Sequence, residues 1–290
     1  YFNYGHYYQT PSFEYFYRSA TANISPNTQI GNPNLEYEKT VAYEVGVNTE
    51  FAEDWVLDVA GYYRDVFNQI GTVEQRIGPI TLNRFFNLGY ARTRGFEFTM
   101  KKSLSQMWAL QFNYDYSYAY GKESAASEGL LQRLGNSVEN RDEHPLAWDE
   151  THKVSAFVTI LSGQKDRPRL FGVRMPNDWV STVEFSYGSG LPYTPSNYTT
   201  GMSANRILPN SARYPFTMTV DLKADKFWTP VKGLRFATGV EIYNLLNRRN
   251  VRELYAATGN PWDSSHELDT AARNDNNQGK DYSHNPRNYY

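Results

Sequence analysis

The stretch WALQFNYDYSYAY, residues 108–120, alternates between two kinds of side chain along its whole length. Every second residue, from Trp108 to Tyr120, is aromatic or apolar, and the residues between them are small or polar. Successive side chains of a β-strand point to opposite sides of the sheet. The stretch therefore predicts a long strand with one apolar face and one polar face.

The same alternation recurs along the chain. It is clear in TVAYEVGVNTEF at 40–51, and it returns at 55–67 and 94–100. Less regular β-rich runs complete the set, at 1–9, 152–162, 178–189, 215–228 and 233–247. Together these segments predict about nine strands, most of them longer than the usual five or six residues. Helical periodicity is weak everywhere, and 122–134 is the best candidate for a short helix.

The connections between the predicted strands alternate in length. Residues 52–54, 103–107 and 229–233 form short turns, whereas 163–177 lies on the same side of the sheet but is longer. The other connections are long and polar, at 18–36, 70–84, 122–151, 191–214 and 248–290. Short periplasmic turns and long extracellular loops are typical of a transmembrane β-barrel.

The composition agrees with a barrel better than with a compact soluble core. Aromatic residues make up 16% of the 290 residues, yet the mean hydropathy is −0.66. No run of about 18 apolar residues predicts a membrane-spanning helix. The charge of −2 gives no reason to expect nucleic acid, and the absence of cysteine excludes disulfides and thiolate metal sites.

A barrel assigns the two faces of each strand. Only helices and closed barrels pair every backbone polar group inside a bilayer. The apolar face then meets hydrocarbon and the polar face lines the lumen. The residues that we expect to face the lumen are carboxylates: Glu44, Asp58, Glu97, Asp115 and Glu241. A soluble β-sandwich also alternates, but its strands are shorter and its interior rarely carries so many carboxylates.

Several stretches resemble the TonB-dependent receptors of Gram-negative outer membranes, particularly the branch found in Bacteroidetes. In chain order they are IGNPNLEYEKTVAYEVGV (30–47), NLGYARTRGFEF (87–98), HPLAWDETHKV (144–154), YGSGLPYTP (187–195) and EIYNLLNRRNV (241–251), which TGNP (258–261) follows. Similar passages occur in this order in the family, so the resemblance covers most of the chain.

The resemblance implies an all-β, antiparallel transmembrane barrel, of whose 22 strands this chain holds about nine. It implies that residues 1–290 are the C-terminal portion of the barrel, with the plug domain and final strand lying outside them. Members are outer-membrane importers of scarce nutrients such as siderophore-iron, glycans or peptides, and they are not enzymes. The implied partners are outer-membrane lipid, lipopolysaccharide, the TonB complex of the inner membrane and, in some members, a surface lipoprotein.

Ligand binding in such a receptor would involve the extracellular loops. The residues that we expect to contribute are Arg133, Arg141, Trp148, Tyr193, Tyr198 and Arg206, because arginine suits anionic ligands and aromatic rings suit sugars or flat siderophores. Each of them could instead simply pack one loop against another.

No motif predicts a catalytic site, a metal site or a cofactor. Asp149 lies near His144 and His152, but this spacing is not a zinc pattern, so structural hydrogen bonding is the better interpretation. Residues 269–281 lack the register of a calcium loop. Two other functions stay open at this point: a structural or adhesive outer-membrane barrel without transport, and a soluble carbohydrate-binding β-protein.

Overall fold

The computed structural model of the protein describes residues 1–19, 28–78, 80–127, 143–165, 167, 169–170, 172–195, 208–256 and 258–262. These residues form fifteen strands and one short helix. They are β1 (Phe2–Gln9), α1 (Phe13–Tyr17), β2 (Gln29–Ile30), β3 (Glu38–Ala52), β4 (Trp55–Ile77), β5 (Ile80–Ser105), β6 (Trp108–Gly121), β7 (His144–Pro145), β8 (His152–Ser162), β9 (Arg169–Leu170), β10 (Val173–Arg174), β11 (Trp179–Gly188), β12 (Pro192–Tyr193), β13 (Ala212–Arg213), β14 (Thr217–Val231) and β15 (Leu234–Ile242).

Nine long strands form one antiparallel sheet in the order β1-β3-β4-β5-β6-β8-β11-β14-β15. Each long strand pairs with the next long strand along the chain, so the sheet is a simple meander. The short strand β2 joins β5 in parallel, and β7 joins β6. The predicted all-β antiparallel architecture with about nine principal strands is therefore confirmed.

The two ends of the sheet differ in their connections. At one end, here called the short-turn end, β3–β4, β5–β6 and β14–β15 are joined by tight turns. Asp54 (φ 67°), Met107 (φ 77°) and Gly233 (φ 90°) adopt the left-handed conformation that such hairpin turns require. All the longer connections except 163–178 leave from the opposite end, here called the long-loop end.

One predicted loop proved to be a strand pair. The prediction for 70–84 was wrong, because β4 and β5 continue to pair as far as Ile77 and Ile80. The polar sequence of this arm gave no alternating pattern from which the strands could be predicted. The arm packs against other parts of the chain. Phe85 is 1% exposed under the arm, with its ring 4.8 Å from that of Tyr15.

Smaller corrections concern helices and one strand end. The helix α1 was not predicted, and its five residues are too short to show helical periodicity. The helix candidate at 122–134 is not helical over its described part, 122–127, and its remainder lies outside the described residues. The strand predicted at 233–247 ends at Ile242, because Asn244 (φ 53°) turns the chain.

The cross-strand register separates the residues of the sheet into two faces. Along β3 and β4 the pairs Tyr43–Tyr63 and Val47–Val59 lie on one face, called the apolar face, and Asn48–Asp58 lies on the other, called the polar face. The apolar face is exposed: Val45 is 60% and Val47 is 63% accessible. A soluble sandwich would bury these side chains in its interior.

Aromatic residues form two rows that border the apolar face. At the short-turn end the centre of the Trp55 ring lies 6.0 Å from the centre of the Phe51 ring and 5.8 Å from that of Trp108. At the long-loop end the ring centres of Tyr43 and Tyr63 lie 6.5 Å apart. Trp55 and Tyr63 are eight residues apart, so tilted strands place the rows about 20 Å from each other, close to the height of a barrel's apolar band.

Apart from Ala60 in the middle of β4, the buried apolar residues that the structure describes lie toward the two ends of the sheet. Leu146, Ala91 and Ala119 form a small cluster at the long-loop end. Within the described residues, no helix is long and apolar enough to cross a membrane. The structure thus has a two-faced sheet with compact packing concentrated under its long connections.

A charge placed midway between the two aromatic rows tests which face meets lipid. We predict that Val47→Arg in the full-length protein lowers the free energy of unfolding in lipid vesicles by about 2–4 kcal/mol, since arginine is costly at the bilayer midplane. Asn48→Arg is the matched control on the polar face, where the new cation can pair with Asp58. Denaturant titration of both variants in vesicles gives the measurement, and equal losses would contradict the assignment of the faces.

Candidate substrate-facing surface and loop clamp

The polar face carries a network of hydrogen bonds between neighbouring strands. Asn113 of β6 accepts from the Thr99 hydroxyl at 3.2 Å and donates to Ser155 of β8 at 3.0 Å. Further along the sheet, the hydroxyls of Ser186 and Thr219 lie 2.6 Å apart. A face with this many paired hydroxyl and amide groups suits contact with water or a polar ligand.

The register places all five predicted lumen carboxylates on this polar face. Glu97 and Asp115 lie directly opposite each other on β5 and β6. Asp58 accepts from Asn48 at 2.7 Å and from the Tyr1 hydroxyl at 3.3 Å, and Glu241 forms an ion pair with Lys223. Glu44 lies opposite Tyr62 in the neighbouring strand. Lumen exposure of these residues stays a prediction.

Among the five carboxylates, Glu241 has a cationic partner in Lys223 of the neighbouring strand. Glu97 and Asp115 form no ion pair within the described residues, and one carboxylate oxygen of Asp115 is buried without a hydrogen-bond partner there. Like charges directly opposite each other destabilise a sheet. Within the residues that the structure describes, these two carboxylates are therefore incompletely paired, although Lys153 of β8 lies opposite Asp115 in the register.

A buried ion pair joins two long connections at the long-loop end. Asp149, which is 1% exposed, accepts a hydrogen bond from the Ala119 amide at 2.6 Å and pairs with the Arg213 guanidinium. Arg213 also donates to the carbonyls of Asp149 at 2.7 Å and Gly190 at 3.3 Å. We call Asp149 and Arg213 the loop clamp, because the pair ties 143–151 to 189–195 and 208–216.

Asn210 strengthens the loop clamp from the same side. Its side-chain amide donates to the Pro145 carbonyl at 2.8 Å and to the Ser124 hydroxyl at 3.3 Å. Its backbone amide donates to the Thr194 hydroxyl at 2.9 Å. One asparagine thus connects three segments that are far apart in the sequence, which gives the loops a defined geometry.

Two of the predicted ligand residues flank the loop clamp. Trp148 precedes Asp149 and is 47% exposed. Tyr193 pairs with Ala212, the neighbour of Arg213, and its half-buried ring packs edge-on against Tyr214 at 5.3 Å. Burial, with the Glu253 carboxylate and Tyr193 nearby, raises the pKa of Tyr214 above its usual value. The other predicted ligand residues, Arg133, Arg141, Tyr198 and Arg206, lie outside the described residues.

His152, one of the two histidines near Asp149, packs and hydrogen-bonds against an aromatic side chain of β6. His152 shares a hydrogen bond with the Tyr114 hydroxyl at 2.9 Å, and its ring stacks on that of Tyr114. Within the described part of the chain, no group of acidic or histidine side chains could hold a metal ion. The segment 269–281 lies outside the described residues.

Sequence reasoning missed Arg213 and Asn210. A signal for a partner existed, because Asp149 directly follows the apolar stretch PLAW (145–148) and a buried carboxylate needs a cation or several donors. The sequence alone could not indicate which of many arginines would supply that cation, since the pair is separated by 64 positions.

Comparisons with known proteins agree on one architecture. The family model described as "TonB dependent receptor-like, beta-barrel" matches residues 1–245. The ferripyoverdine receptor of the outer membrane of Pseudomonas aeruginosa is similar in structure, with a TM-score of 0.54 and 13% identity over 87% of this chain and 27% of the receptor. The outer membrane transporter YddB from Escherichia coli gives a TM-score of 0.52 and 13% identity over 78% of this chain and 31% of the transporter.

These likenesses extend over only part of the solved proteins. The chain spans about a third of the length of the structures that it matches, and identities this low show the fold alone. A search of curated protein sequences found no match.

The loop clamp can be tested by breaking the ion pair from one side. We predict that Arg213→Met destabilises the long-loop end by about 3 kcal/mol, because it leaves the buried Asp149 carboxylate without its cation. Hydrogen exchange of residues 143–151 and 189–195 should then become faster by about a hundredfold. The Asp149→Asn, Arg213→Met double variant should recover part of the loss.

Arg235→Met is the matched control for the loop clamp, because its ion pair with Asp178 at 3.2 Å lies at the short-turn end and is partly exposed. It should leave exchange at the long-loop end unchanged. If Arg213→Met also leaves that exchange unchanged, the loop clamp has no structural role.

Proposed function

We propose that this chain, which belongs to the TonB-dependent receptor family of outer-membrane β-barrels, forms part of the wall of an energy-coupled nutrient importer. The observation that carries the proposal is the register of the nine-strand sheet. It puts Glu44, Asp58, Glu97 and Asp115 together with the hydroxyl and amide network on one face. The exposed aromatic and aliphatic residues lie on the other.

The two faces correspond to the two environments of an importer. In this proposal the apolar face meets the lipid of the outer membrane and the polar face lines the lumen through which a nutrient passes. The long-loop end lies outside the cell, where the loop clamp holds Trp148 and Tyr193 at a fixed position. Aromatic side chains of this kind can stack against a sugar ring or a flat siderophore.

The sheet also indicates that more strands complete the barrel. Within the part of the chain that the structure describes, β1 and β15 each pair on one side only, and all of the β15 residues are exposed. A strand edge exposed to lipid is not viable, because its amide and carbonyl groups would have no partners. We infer that further strands pair with both edges and that residues 1–290 are the C-terminal portion of the barrel. A plug domain and a final strand outside these residues belong to the same proposal.

The nutrient belongs to the class of siderophore-iron, glycan or peptide in this proposal. The solved ferripyoverdine receptor, which is bound to ferripyoverdine, supports the first of these classes by similarity of fold. The partners are outer-membrane lipid and lipopolysaccharide, the TonB complex of the inner membrane, which supplies the energy, and a surface lipoprotein if the nutrient is a glycan or a peptide. The family consists of transporters and not of enzymes.

A structural or adhesive barrel is the competing function, and uptake measurements separate the two. We predict that deleting the receptor gene abolishes uptake of one labelled nutrient among a ferric siderophore, an oligosaccharide and a peptide. Inactivating the TonB complex should have the same effect. If the deletion strain takes up all three as the parent does, while cell-surface adhesion changes, the protein is a structural barrel.

The same uptake assay examines the extracellular residues. Trp148→Ala should raise the half-saturation concentration about tenfold, as the loss of an exposed aromatic contact to the ligand would. Trp228→Ala is the matched control, because Trp228 is 46% exposed, similar to Trp148, but lies at the short-turn end. Equal effects of both variants would count against ligand binding at Trp148.

A further inference from the structure

Cationic side chains interrupt the apolar face at the level of the aromatic row of the long-loop end and just beyond it. Along β5 the apolar face continues from Phe98 and Phe96 to Arg94 and Arg92, since residues two apart point the same way. Arg94 lies directly between Tyr63 of β4 and Tyr118 of β6. The outward face therefore changes from hydrocarbon side chains to guanidinium groups within one strand.

The depth of these residues places their charges at the membrane surface. The midplane of the apolar band passes close to Phe98, which pairs with Val59 midway between the two aromatic rows. Tilted strands then put the Cα atoms of Arg94 and Arg92 about 10 and 15 Å above the midplane of a band about 25 Å tall. Arginine extends by about 6 Å beyond its Cα toward the polar region, so both guanidinium groups reach the headgroups.

Arg92 and Arg94 differ in how far they are neutralised. Arg92 forms an ion pair with Asp65 at 3.1 Å, and its guanidinium lies 5.7 Å from the centre of the Tyr63 ring. Asp65 is itself held by the Tyr90 hydroxyl at 2.8 Å. Arg94 is exposed and has neither an ion pair nor a hydrogen bond within the described residues. One positive charge on this surface is thus left for a ligand.

The surroundings of Arg94 favour an anion with several oxygen atoms. The hydroxyls of Tyr116 and Tyr118, which lie on the same face, share a hydrogen bond of 2.5 Å. A guanidinium binds phosphate through two parallel N–H donors, and the tyrosine hydroxyl that accepts the shared hydrogen bond keeps its own O–H to donate to a remaining oxygen.

We propose that Arg94, with Arg92 and the Tyr116–Tyr118 hydroxyls beside it, binds the phosphate of an anionic glycolipid in the outer leaflet of the membrane. The proposal rests on the proposed function for its orientation, in which the long-loop end lies outside. Asp65 holds Arg92 in place and leaves Arg94 to contact the phosphate. The occupant is a lipid because the site opens toward the membrane and not toward the lumen.

The experiment uses the full-length receptor in vesicles of neutral phospholipid that contain a small fraction of lipid A. A second set of vesicles contains the same glycolipid with its phosphates removed. After gentle extraction in detergent, native mass spectrometry counts the glycolipid molecules that remain bound. The wild type should retain the phosphorylated form, and Arg94→Gln should retain about fivefold less, as expected for the loss of one cation near an anionic surface.

Arg64→Gln is the matched control for the change in charge. Arg64 lies on the polar face of the neighbouring strand, with its guanidinium 4.7 Å from the centre of the Tyr62 ring. It should retain as much phosphorylated glycolipid as the wild type, and an excess of inorganic phosphate should not displace the lipid.

Several results would overturn the proposal. They are equal retention of the dephosphorylated form, an equal loss in Arg64→Gln, and displacement by inorganic phosphate, which would identify a site for the free ion. A receptor that inserts normally but shows any of these results contradicts the lipid site and leaves the importer proposal intact. Failure of the wild type to insert would overturn the orientation of the sheet, and the lipid site with it.

Discussion

Backbone hydrogen bonding in a medium without water is the constraint on which the rest of this structure depends. A strand inside a bilayer must give every amide and carbonyl group a partner on a neighbouring strand. The nine-strand meander does this between its two edges, through a continuous ladder from β1 to β15. Once the ladder fixes the register, side chains alternate between the two faces along each strand. Glu97 and Val59 therefore lie on opposite faces of the sheet.

At the long-loop end the ladder stops, and side chains take over the pairing of backbone groups. Asn32 donates to the Phe85 carbonyl at 2.9 Å, and Asn250 both accepts from and donates to the backbone of Met218. Asp149 does the same for the Ala119 amide. These side chains provide partners for backbone groups that irregular segments would otherwise leave buried and unpaired. They also fix the position of the exposed residues next to them, which is what a binding surface on loops requires.

The sequence predicted those features that depend on local alternation. Residues 108–120 indicated β6 almost to its ends, and the turn at 52–54 followed from its length and polarity. The arm at 70–84 was missed because its strands are held by Phe85 and by loop contacts, which leave no periodic signal. The loop clamp could not be predicted because Asp149 and Arg213 meet only after the loops have folded. Asp149 requires a cation because it is buried in the folded protein. The sequence suggests this burial but does not indicate that Arg213 supplies the cation.

The central claim is that alternate residues of each long strand contact lipid while their neighbours contact water. Spin labels at single cysteines along residues 110–115 test it directly in the full-length protein, with any other cysteine replaced. Labels at Leu110, Phe112 and Tyr114 should be accessible to oxygen dissolved in the bilayer, and labels at Gln111, Asn113 and Asp115 to a water-soluble nickel chelate. Accessibility without this alternation, or with the two sets exchanged, would contradict the account.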